Sequence, residues 1–105
     1  MAKKKIKVLI VEPEREPRAA EIENDLDAMQ EIVDGYIECL PVWGGELVCN
    51  EEGELLGLAP NREYCGDVIL GTFFLAGTDG DEFDDLSSEA VEHYTELFGL
   101  PERGS

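Results

Sequence analysis

Three cysteines, Cys39, Cys49 and Cys65, and a single histidine, His93, are the thiols and the imidazole of this 105-residue chain. Nucleophilic catalysis by a thiol needs a base beside it. A zinc site would need all four of these residues at one point, since neither a C-x-x-C nor an H-x-x-x-H spacing is present. Free cysteine is habitually buried, so the thiols are expected in the core, with no zinc and no intramolecular disulfide. Cys39 and Cys49 are placed to be neighbours across a hairpin. His93 lies between Glu92 and Tyr94 on a predicted helix and reads as a surface or boundary histidine. No catalytic residue is assigned, and the chain is expected not to be an enzyme.

Two other patterns concern binding. Arg62 is one of four arginines after residue 7, and it follows a Pro60-Asn61 turn and precedes Tyr64. Asn61 and Arg62 could clamp a small anionic ligand; the plainer expectation is an ion pair with a neighbouring acid. Asp79-Gly80-Asp81-Glu82-Phe83-Asp84-Asp85 invites a calcium reading but fails the EF-hand test, with Phe83 at the fifth ligand position and Ala90 at the twelfth. It is expected to be a solvated loop, and no metal site is assigned. No phosphate loop and no G-x-G-x-x-G is present, so no cofactor is expected.

These residues must be positioned by few elements. Lys5–Val11 (KIKVLIV) reads as a buried strand, ended by the proline-bearing EPEREP segment. Ile22, Leu26, Met29 and Val33 recur at helical spacing and predict a helix from about Arg18 to Val33, stopped at Gly35. Tyr36–Val42, Glu46–Asn50 and Glu54–Leu58 predict a three-strand meander, turned at Gly44-Gly45 and at Asn50–Gly53 and broken at Ala59-Pro60-Asn61. Asp67–Ala76 reads as one interior strand. A last helix, about Ser88 to Phe98, has Ser87 as N-cap and Leu86 with Val91 as a hydrophobic staple. The expected class is α+β, a small mixed or mostly antiparallel sheet with two helices on one face, in the order β-α-β-β-β-β-α. A single acidic domain is expected over 1–105, with Gly104-Ser105 set aside from the fold.

Charge is the outlier. Twenty-five acids face eight cations, a formal net charge of −17, and four of the cations are Lys3, Lys4, Lys5 and Lys7. This balance argues against phosphate-backbone binding and against docking on anionic lipid. Apolar runs of eight residues or fewer are too short to span a membrane, and Lys7 and Glu12 interrupt any apolar leader behind the first lysines. With an odd number of cysteines, this predicts reduced thiols in the cytoplasm. On the predicted helices the acids form two stripes: Glu23, Asp27, Glu31 and Asp34, then Glu89, Glu92 and Glu96. At ~1.5 Å rise per residue the charges of the first stripe lie ~4.5–6 Å apart. Such rows could approach the charge density of a nucleic-acid backbone and attract a basic protein. The simpler expectation is a solvated helix face.

Four stretches, VLIVEP (8–13), DAMQEIVDGYIE (27–38), VCNEEGELLGLAPN (48–61) and DVILGTFF (67–74), together resemble an uncharacterised family, the domain of unknown function numbered three-eight-four-six. The likeness covers residues 6 to 98 and leaves 99–105 as a tail. The resemblance implies a phage or mobile element and a bacterial cytoplasm, with no known activity and no site residues. The sequence therefore leads to a non-enzymatic interaction protein, an acidic DNA-mimic-like inhibitor that binds a basic host or self protein. The alternative is a domain that sequesters a small anion at Asn61 and Arg62.

Overall fold

A computed structural model describes residues 3–99. In chain order these form β1 (Lys5–Val11), β2 (Arg18–Glu23), α1 (Leu26–Val33), β3 (Ile37–Val42), β4 (Gly45–Asn50), α2 (Gly53–Leu56), β5 (Pro60–Tyr64), β6 (Asp67–Leu70), β7 (Phe73–Asp79), β8 (Glu82–Asp84) and α3 (Ser88–Leu97). The main sheet runs β2-β1-β7-β4-β3, with β8 continuing off β7, while β5 and β6 pair as a separate hairpin. Every pairing is antiparallel. The α+β class and the mostly antiparallel sheet are as the sequence implies.

The sheet is covered on both faces. Side chains alternate along a strand, and β1 is apolar at nearly every position from Ile6 to Val11. Ile6, Val8 and Ile10 therefore join Val48, Phe74 and Ala76 beneath Met29 and Val33 of α1. Leu9 and Val11 join Leu47, Phe73 and Leu75 beneath Ala90, Tyr94 and Phe98 of α3. Each such large side chain contributes about 1.5–3 kcal/mol by leaving water. The two helices thus lie on opposite faces, not on one. Strands β1 and β7 are apolar on both sides and need two covers.

Three elements differ from the sequence reading. The predicted helix over 18–33 is strand β2 followed by the shorter α1. Segment 18–23 crosses β1 with Lys5 opposite Glu23 and Lys7 opposite Glu21, opposite-charge pairs that favour a strand. The helix starts where Asp25 Oδ1 accepts a bond from Ala28 N at 2.8 Å, an N-cap. Ile22 consequently packs from a strand, and Leu26, expected in the core, is 54% exposed. The third meander strand is instead the short helix α2, closed by Gly57 at φ 66°. The expected interior strand over 67–76 splits at Gly71. This glycine has φ 77°, and a Cβ there would sit 2.7 Å from Leu58 Cδ1. β6 pairs with β5 before the break, and β7 enters the sheet after it.

The expected β3–β4 hairpin forms, but it turns at Trp43-Gly44, one residue before the expected Gly44-Gly45, and Gly45 is already in β4. A Cβ on Gly45 would lie 1.9 Å from the Ala76 carbonyl, so β4 can approach β7 there only as glycine. The N-cap Ser87 accepts from Ala90 N at 3.1 Å, and Leu86 and Val91 pack together in one cluster. Residues 79–85, read as a loop, are mainly the β7–β8 hairpin.

Candidate functional site

Asn61 and Arg62 form a structural knot. The β5–β6 register shifts between Pro60 and Arg62, which leaves Asn61 as a bulge, and a bulge re-aims its side chain. Asn61 Nδ2 donates to the carbonyls of Val11 at 2.9 Å and Gly71 at 2.8 Å, tying the end of β1 to the β6–β7 break. Arg62 Nε donates to Phe98 O at 2.8 Å, Nη1 to Asn61 Oδ1 at 2.8 Å, and Nη2 to Arg15 O. The guanidinium spends its donors on main-chain carbonyls and one amide, not on the ion pair expected from the sequence. Burial lowers its pKa from the ordinary value. An anion at Arg62 would have to displace these bonds.

Asn50 is a second knot that the sequence reading missed. Its buried Nδ2 donates to Val33 O at 2.9 Å and Asp34 O at 3.1 Å, closing α1, while its Oδ1 accepts from Glu52 N at 2.7 Å. A Cβ on Gly35 would meet Asn50 Nδ2 at 2.6 Å, so a glycine there gives the amide its room. The available signal was Asn50 ahead of Glu51-Glu52-Gly53, an Asx-turn pattern.

The thiols separate. Cys49 is buried and its pKa is pushed up to about 11, chiefly by burial and then by Glu38. Cys39 and Cys65 are exposed, which corrects the expectation that all three lie in the core. Cys39 sits opposite Val48, and Cys49 opposite Glu38. The edge position of β3 leaves the Cys39 side uncovered. Burial, then Glu46 and Glu38, raise the Cys39 thiol. Glu46 Oε2 is buried with no hydrogen-bond partner. Cys65 occupies a tight turn at φ 51°. His93 is exposed and meets Trp43 edge-on at 5.2 Å. Below it Tyr94 donates to Trp43 O and is pushed up to about 12, first by burial and then by Tyr64.

The acids are not two helical stripes on one surface. Glu23 is on β2, within 3.9 Å of Lys5. Asp27 and Glu31 are on α1, and Asp34 is its left-handed C-cap at φ 62°. Glu89, Glu92 and Glu96 do share the exposed side of α3, but on the other face of the sheet. What the fold creates is a lateral division. The ion pairs among the described residues, Lys3 with Asp84 and Asp85, Lys5 with Glu23 and Arg18 with Glu12, all sit at the β1–β2 side. The segment from Asp34 to Asp67 carries eight acids and one cation, the internally engaged Arg62.

Three grooves follow this division. One of about 420 Å³ beside α1 includes Arg18, and one of about 560 Å³ beside α3 includes Lys7. The third, about 300 Å³ between β3, α2 and β6, is lined by Glu38, Glu51, Glu54 and Asp67 and by no cation. Leu40 and Val68 line it as well, and they are 38% and 53% exposed.

The fold and these knots define a small antiparallel α+β domain in which buried Asn50 and half-buried Asn61 and Arg62 hold elements together. The chain belongs to the family described as Domain of unknown function (DUF3846), whose model matches residues 6–99. Comparison with curated proteins and with solved structures finds no match. Among the described residues no helix is long and apolar enough to cross a membrane.

Proposed function

We propose that this protein is a non-enzymatic interaction domain that engages a basic protein, of the host or its own kind, through carboxylates on the β3 side. In the fuller form of the proposal it works in the bacterial cytoplasm on behalf of a phage or mobile element, an origin that rests on the family resemblance alone. The single observation that carries the proposal is the lateral division of charge. Four acids at the β1–β2 side, Glu12, Glu23, Asp84 and Asp85, have cations within 4 Å, whereas no acid of the Asp34–Asp67 segment has an ion pair among the described residues. Uncompensated charge costs self-repulsion and speeds encounter with an opposite field.

A DNA-mimic-like action would have the protein occupy the basic groove of its target. In this proposal the contact is made by the β3-side acids, because Glu23 belongs to a strand and the α3 acids face the other way.

The test is capture from bacterial lysate on immobilised protein, washed at low salt and then at about 0.5 M, where the Debye length falls well below ~8 Å. The proposal expects a basic protein retained at low salt and released at high salt. Retention of only neutral or acidic proteins, or retention indifferent to salt, would contradict it.

A further inference from the structure

The groove between β3, α2 and β6 has features that acidity alone does not give. It lies beside an edge of the sheet, since among the described residues β3 has β4 on one side only. Of the eight exposed large apolar side chains among the described residues, four are here or on the adjoining α2: Leu40, Leu55, Leu56 and Val68. Clustered apolar exposure marks contact surfaces, whereas scattered exposure does not. Four carboxylates rim the same groove with no cation among them. Backbone pairing along the edge is restricted. Tyr36 O accepts from Glu51 N, which points residue 36 inward. By alternation Ile37, Cys39 and Pro41 point outward, and Pro41 has no N–H to offer there. Ile37 and Cys39 keep outward amides but Pro41 interrupts the row, so side chains must supply much of the recognition at this place.

We infer that this groove is the docking site for an extended segment of the partner in which arginine or lysine alternates with aliphatic residues. The cationic heads meet Glu38, Glu51, Glu54 and Asp67, and the aliphatic side chains lie on Leu40 and Val68. Charge complementarity selects this occupant. A second copy of the chain would bring like charge to the groove, and an apolar segment without cations would leave four carboxylates desolvated and unpaired. Cationic side chains also carry methylene stems that cover apolar surface while the head stays at a carboxylate. The inference rests on the basic-partner reading above and specifies where that partner docks.

The probe is a dye-labelled short peptide alternating arginine and valine, titrated by fluorescence anisotropy at about 0.15 M salt, where fields are local. Poly-lysine serves as a charge-only probe. Glu51→Gln/Glu54→Gln/Asp67→Asn removes three charges at the groove; Asp79→Asn/Asp81→Asn/Glu82→Gln removes three at the exposed β7–β8 tip. The groove variant should bind the peptide roughly tenfold or more weakly and the tip variant within about twofold of the parent. Val68→Ser should weaken the peptide several-fold and leave poly-lysine unchanged. Amide shifts on the unmodified protein should fall in β3, α2 and β6, a readout that does not depend on any variant folding. Equal weakening by both triple variants, an unchanged Val68→Ser, or shifts elsewhere would overturn the groove while leaving a diffuse basic-partner role standing. Failure of both peptide and poly-lysine to bind even at low salt would overturn both.

Discussion

The two sides of the sheet solve the same electrostatic problem in opposite ways. At the β1–β2 side, Glu12, Glu23, Asp84 and Asp85 are answered by lysine or arginine: Lys3 lies 2.7 Å from Asp85 and Arg18 lies 3.3 Å from Glu12. At the β3 side the acids have no such answer among the described residues, and the single arginine there is turned inward to carbonyls. Exposed ion pairs are worth little, typically about 0–1 kcal/mol each, so the paired side is not thereby much more stable. The difference lies in the field that each side presents. A net charge of −17 does not describe this molecule well, because the ion pairs among the described residues gather on one side and are missing from the other. It also separates two uses of polar residues: Asn50, Asn61 and Arg62 hold the fold, while Glu38, Glu51, Glu54 and Asp67 face solvent.

If that separation holds, the largest effects on stability come from the packed faces and the polar knots, and the smallest from the edges. Met29→Asp places an unpaired charge under α1 and should abolish cooperative folding, at a cost of several kcal/mol. Leu26→Asp, three residues earlier and exposed, should stay within about 0.5 kcal/mol of the parent. Chemical denaturation of the pair checks the helix register directly. Next come Arg62→Ala and Asn50→Ala. Each removes several bonds and leaves inward-facing carbonyls unpaired, for about 2–4 kcal/mol. Lys5→Ala, at the paired edge, should cost less than about 1 kcal/mol. An Arg62→Ala protein as stable as the parent would mean that its bonds are dispensable and that the arginine is free to serve a ligand.

The pH dependence has a definite sign. An unfolded Cys49 ionises near its ordinary 9.0, while the folded thiol holds its proton to about 11. Between these values the unfolded state binds fewer protons, so stability falls as pH rises from 9 towards 11. Tyr94, pushed up from 10.0 to about 12, adds the same sign at higher pH. Thermal melts from pH 7 to 10.5 should show the decline, and Cys49→Ala should flatten its first part. In acid the sign reverses for Asp85. Its carboxyl is held below the ordinary 3.8 chiefly by its hydrogen bond from Lys3, then by the Lys7 amide, so its contribution is present above that value and lost as pH falls.

The smallest effects concern the thiols. At neutral pH a disulfide reagent should modify Cys39 and Cys65 in the native state and Cys49 only after unfolding. Glu46→Gln should speed the Cys39 reaction, because the Glu46 charge helps to raise that thiol. An unchanged rate would remove Glu46 from the account.

Much of this architecture was legible in the sequence, and the exceptions have physical causes. Strand β1 and helix α3 were readable because period, caps and breakers agree: an apolar run stopped at Glu12-Pro13, and Ser87 with the Leu86–Val91 staple. Segment 18–33 misled because Ile22 and Leu26 sit at helical spacing by coincidence. The cross-strand partners Lys5 and Lys7 that make 18–23 a strand are far away in sequence. The Gly71 break was hidden inside an apolar run, since its need arises from Leu58 packed against it. The site was less legible. Arg62 and Asn61 were rightly singled out as unusual, but their hydrogen-bond partners come from β1, β6–β7 and α3 and cannot be read locally. The first acidic stripe rested on the helix assignment over 18–33 and divided with it, whereas Glu89, Glu92 and Glu96 stay together on α3.

The central claim is that charge left uncompensated on the β3 side is what a basic partner meets. The most direct measurement is an amide-shift footprint of the isotope-labelled protein as a lysate-captured basic partner is added. The account predicts perturbations concentrated on residues 37–42, 51–56 and 67–70, fading as salt is raised. Perturbations centred on the α1 or α3 faces, or a footprint unchanged by salt, would contradict it.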